Sequence, residues 1–131
     1  MEHRIDPQQE IYTVILVALK EAGYDVYEGT NPEDGTPYPF IMLGDNEQED
    51  RPTKTAILGT VDQRIHVWSN NQRARGTHSS MMAHIKEMCR RIERTSSFRW
   101  HAMSVTSRTV TDTTTSGVLL HGIIDIVFHF S

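Results

Sequence analysis

From Leu120 to Phe130 every second residue is apolar or glycine: Leu120, Gly122, Ile124, Ile126, Phe128 and Phe130. Between them runs a mixed series, Leu119, His121, Ile123, Asp125, Val127 and His129. A period of two held this long predicts a β-strand over Val118 to Phe130 with one face committed to a core. The segment Val61 to Trp68 repeats the pattern. Val61, Gln63, Ile65 and Val67 fall on one side, and Asp62, Arg64, His66 and Trp68 on the other. Two such strands demand something apolar to lie on one face of their sheet.

Two helices supply it. Asp6-Pro7 opens the first, with Asp6 placed to accept from the free amides of the first turn and Pro7 suited to the first helical position. Ile11, Val14, Ile15, Ala18 and Leu19 then form one stripe, and Gly23 is its expected left-handed cap. The second helix runs from Thr77 or His78 to about Arg94, with Met81, Met82, Ile85, Met88, Cys89 and Ile92 as its stripe. Arg90, Arg91 and Arg94 near its end complement the negative pole of the helix dipole. A short strand is expected at Asp25 to Tyr27. Phe40 to Leu43, four apolar residues in a row, reads as a strand buried on both faces. Phe98 to Thr111 reads as a long strand with Trp100, Ala102, Ser104, Thr106 and Arg108 on one face and Met103, Val105, Ser107 and Thr109 on the other. Asp112 to Gly117 turns it into the last strand.

The fold class expected is α+β: a mostly antiparallel sheet of four to five strands with two helices on one face. The Trp68 to Phe98 connection is long enough for a parallel crossover. The 131 residues form a single domain, 1–131, with projecting loops at 29–37 and 44–55. The second loop is acidic, containing Asp45, Glu47, Glu49, Asp50 and Arg51, and reads as too polar to fold inward.

Composition narrows the function. Thirteen basic against 17 acidic residues give a formal charge of −4, a poor balance for a general nucleic-acid binder. One cysteine excludes an intrachain disulfide. The first residues carry no apolar run of a signal peptide, and His121, Asp125 and His129 interrupt the last strand as a membrane span. No nucleophile elbow, Walker loop or dinucleotide fingerprint is present. The acidic residues lack the spacing and central glycine of a calcium loop. His121 and His129 are too far apart on one strand to share an ion, so a metal site would need His66 or His101 from neighbouring strands. Cys89 lies in a helix stripe and reads as a small apolar residue. No cofactor and no metal are expected. The competing reading is a small metal- or ligand-binding domain, or an enzyme, using the histidine-bearing face. A third is a nucleic-acid module built on Arg73, Arg75, Arg90 and Arg91.

The order of short motifs carries a resemblance. Val26-Tyr27-Glu28-Gly29, Pro37-Tyr38-Pro39-Phe40-Ile41-Met42-Leu43-Gly44 and Gln63-Arg64-Ile65-His66-Val67-Trp68-Ser69 occur in sequence. In this the chain resembles the tail-completion proteins of tailed phages, the tail-to-head joining proteins and tail terminators of siphophages and prophages. The resemblance implies a non-enzymatic virion protein at the head–tail interface, assembled in the host cytoplasm. It implies a ring, commonly hexameric, that completes the tail and meets the head connector or stopper and the major tail tube protein. DNA would pass through its channel without specific binding, which the net negative charge suits, and no membrane is involved. The residues expected to touch neighbours are Asp45, Glu47, Glu49, Asp50, Arg51 and Trp68, with Trp68 expected to be exposed.

Overall fold

A computed structural model describes residues 6–29, 32–113 and 117–131. Helix α1 (Pro7–Glu21) leads into β1 (Val26–Glu28), β2 (Phe40–Pro52) and β3 (Ile57–Ser69). A 3-10 turn (Gln72–Ala74) opens α2 (Arg75–Arg90), and β4 (Trp100–Asp112) and β5 (Leu119–Phe130) close the chain. The five strands lie in the order β1-β2-β3-β5-β4. All pairings are antiparallel except β1 with β2. The α+β class is as expected. The parallel pair is at the other end of the chain from the long crossover, which instead delivers β4 to the far side of β5.

Ile11, Ile15 and Leu19 of α1 and Met82, Ile85 and Cys89 of α2 share one core with Ile41, Leu43, Val61, Ile65, Val67, Ile124, Ile126, Phe128 and Phe130. Both helices therefore cover the same sheet face, the face set by the period of two in β3 and β5. Cys89 is enclosed, and burial pushes its thiol up to about 12. Gly23 takes φ +94° after α1, and its amide and that of Tyr24 close the last turn onto Lys20 and Leu19 carbonyls.

Several expectations are corrected. The acidic segment 44–52 is not a loop. It is the second half of β2, paired residue by residue from Asn46↔Gln63 to Pro52↔Ile57, so the hairpin turn shrinks to 53–56. Its charges are tolerated because Glu47 and Glu49 point to the uncovered side. Asn46 and Gln48, on the helix side, hydrogen-bond instead of seeking water. Asn46 Nδ2 donates to the buried Gln63 Oε1 at 3.2 Å, and Gln48 Oε1 accepts from the Gln8 amide at 2.8 Å. That bond also replaces the expected cap: Asp6 makes no capping bond and accepts instead from Gln48 Nε2 at 3.1 Å.

The third correction concerns β4. A bulge between Ala102 and Ser104 takes up Met103 and switches the parity beyond it. The helix-side residues are Trp100, Ala102, then Val105, Ser107 and Thr109, opposite Phe130, Phe128, Ile126, Ile124 and Gly122. Helix α2 also starts earlier and ends earlier than expected. Arg94 lies beyond it and forms an isolated bridge with Arg99. The turn expected between Asp112 and Gly117 contains 114–116, which lie outside the described residues.

Candidate functional site

With both helices on one face, the other face of the sheet is the surface left to meet something. The strand registers resolve it into rows across β2, β3, β5 and β4. The first is Phe40–Trp68–His121–Val110, and the second Met42–His66–Ile123–Arg108. Arg64, Asp125 and Thr106 form the next row, with Asp45 lining the same cleft from the irregular stretch of β2 between Leu43 and Asn46, and after it comes Glu47–Asp62–Val127–Ser104. The last is Glu49–Thr60–His129–His101. One end of the face is thus aromatic and apolar, and the rest is charged.

At the aromatic end Trp68 stacks on His121 with ring centroids 3.8 Å apart and planes within 8°. His121 in turn stacks on His66 at 5.0 Å, and His66 Nδ1 meets His121 Nε2 at 2.8 Å. One ring must donate and the other accept, so the two cannot both be protonated in this contact. Burial lowers the His66 pKa, with Arg64 adding to it. Burial and then the His66 neighbour push His121 down to about 4. Trp68 is half-buried, not exposed as expected. Its Nε1 is enclosed without a hydrogen-bond partner among the described residues. Phe40 and Leu119 beside it are buried although they sit on the face without helices. Pro32 to Tyr38, from the expected loop at 29–37, lie with these residues around a cleft of about 530 Å³.

At the charged end Arg64 makes a two-pronged ion pair with Asp125, Nε–Oδ1 2.9 Å and Nη2–Oδ2 3.1 Å. Asp45, Glu47 and Asp62 line the same shallow cleft. One guanidinium is set among four carboxylates. Asp62 shows the consequence: burial, then the Asp125 charge, raise its pKa.

The six residues expected to touch partners are not gathered at one point. Asp45, Glu47 and Glu49 share the open face and are exposed. Asp50 and Arg51 lie at the hairpin end, opposite Gly59 and Leu58, and Trp68 lies opposite Phe40 at the other end of β3. Gly59 and Trp68 are nine residues apart along that strand, roughly 30 Å. Of the histidine face, His66 and His121 hydrogen-bond. His101 faces His129 eight residues along β5, roughly 26 Å away. Among the described residues no group of three metal-ligating side chains forms, and no helix is long and apolar enough to cross a membrane.

The sequence reading missed a polar contact inside the core. Ser69 Oγ lies 2.8 Å from His78 Nδ1, and Thr109 Oγ1 lies 3.3 Å from His78 Nε2. Both ring nitrogens are thus engaged by hydroxyls, and His78 is only 3% exposed. Burial lowers its pKa. A serine–histidine pair sealed in this way holds α2 against β3 and β4 and offers a substrate no approach. The signal was available, since His78 stands three and four residues before Met81 and Met82 on the buried stripe.

No protein-family model matches the chain, and no curated protein matches it. Among solved structures it superimposes on a chain described as "Virion of native gene transfer agent (GTA) particle" with a TM-score of 0.60. The identity is 16%, and the match covers 95% of this chain and 95% of that one. This chain therefore shares its fold, from end to end, with a chain of that particle.

Proposed function

We propose that this protein is a non-enzymatic structural component of a phage-like virion, acting at the head–tail interface as a ring that completes the tail and joins it to the head connector. The observation that carries the reading is the likeness to a virion chain over 95% of each chain. The motif order noted in the sequence supports the tail-completion role. The open sheet face fits the same reading. It combines an aromatic end, where Trp68 stacks on His121, with a carboxylate-rich remainder, as a surface that meets protein neighbours would.

The test is genetic and visual. Particles made without this protein are examined by electron microscopy. The reading expects filled heads and tails that are separate. Intact, infectious particles in its absence refute it.

A further inference from the structure

The sheet ends in two open edges. Strand β4 is an edge strand of 13 residues that hydrogen-bonds β5 on one side, with no further strand beyond it among the described residues. It contains no proline or lysine, and its outer face carries His101, Ser104, Thr106, Arg108 and the 43%-exposed Val110, with the bulged Met103 57% exposed. A long edge of this kind is a template for another strand. At the other side, β1 covers β2 only over Ile41 to Leu43. The Gln8 side chain takes the Asn46 carbonyl at 3.2 Å. From Glu47 to Arg51 no strand lies beside β2 among the described residues. This second edge carries Glu47, Glu49 and Asp50 against one basic residue, Arg51.

We propose that β4 of one copy pairs antiparallel with the Glu47–Arg51 edge of β2 in the next copy, so that copies run head to tail as one continuous sheet. This rests on the ring-forming reading above and names the surfaces that form the ring. Three observations select a second copy and this arrangement. The direction is right: β4 runs antiparallel to β2 within the chain, so copies in the same orientation present antiparallel edges to each other. The charges favour it: one register sets Arg108 opposite Glu47 or Glu49, whereas pairing β2 with β2 would set glutamates against each other. Both edges are used at once, which a two-fold contact of β4 with β4 does not achieve. A repeated head-to-tail contact closes into a ring when its rotation allows.

Cysteine cross-linking in particles tests it. Glu47→Cys is combined in one chain with a cysteine at His101, Ser104, Thr106 or Arg108 in turn, scanning the register, all on exposed positions of the same sheet face. Within a copy these sites are separated by β3 and β5, roughly 14 Å, too far for a disulfide. The native Cys89 is buried and does not interfere. After oxidation, at least one double variant is expected to give a ladder of covalent multimers while each single variant stays monomeric. A dimer from Ser104→Cys alone shows β4 against β4 and overturns the arrangement. Protein present in particles but without a ladder in any register overturns the edge pairing and leaves the virion role standing. Wild-type protein absent from purified particles overturns both.

Discussion

Acid should loosen the open face of the sheet through His121. Its ring is held between Trp68 and His66, with the His66 nitrogen 2.8 Å from its own. A proton on both imidazoles would leave two donors facing each other at that distance. The folded pKa of His121 lies near 4, against 6.5 for the free side chain. Between those values the unfolded chain takes up a proton that the folded chain refuses. The stability due to the neutral ring is therefore complete above about pH 6.5 and is lost as pH falls toward 4. At about 1.36 kcal/mol per pKa unit the ceiling is about 3 kcal/mol, and screening at a half-buried site reduces it to about 1–2 kcal/mol. Urea unfolding at about pH 7 and about pH 4.5 measures it, with His121→Phe as the reference because it keeps a ring against Trp68 and removes the proton site. The wild type should lose about 1–2 kcal/mol more than the variant between the two conditions. Equal losses would refute the reasoning, because the acid sensitivity would then lie elsewhere.

Other consequences can be measured alongside. Phe128 is fully buried and lies edge-on to Trp100 at 5.9 Å, so Phe128→Ala should cost about 3–5 kcal/mol in the same unfolding assay. At Gly59 an added methyl would overlap the Glu49 backbone carbonyl and press on Phe130. Gly59→Ala should cost about 1–3 kcal/mol or more, visible as a drop in Tm, because backbone cannot rotate away. Trp68→Phe removes the indole N–H, unpartnered among the described residues, yet keeps a ring on His121, so its folding cost should stay below about 1 kcal/mol. Trp68→Ala loses the stack as well, and its yield of joined particles should fall more steeply than its folding stability.

The core faces of β3 and β5 were legible because nothing interrupts their period of two. Every residue from Gly122 to Phe130 that alternation assigned to the core is buried there. Strand β4 broke the same rule at Met103. One extra residue reverses every later side chain, and no glycine or proline near that position betrays a bulge. The acidic half of β2 was hidden for a different reason. Its alternation is polar on both sides, Asn46 and Gln48 against Glu47 and Glu49, so hydropathy has no contrast to detect. What makes it a strand is long-range: Gln63 and Gln8 satisfy the inner amides, and β3 completes the ladder. The face shared by His66, Trp68 and His121 could be read from parity alone. That His66 and His121 touch, while His101 and His129 stand apart from them, depended on a register that a single sequence does not state.

The central claim is that this chain is a repeated structural part of a particle, placed where head meets tail. Cryo-electron microscopy of purified particles carrying a tag on this protein tests it most directly. The account predicts a ring of tagged copies, fixed in number, at the junction between head and tail, with neighbouring subunits joined through their sheets. Tag density along the whole tail, or on the head shell alone, or no density at all, would contradict it.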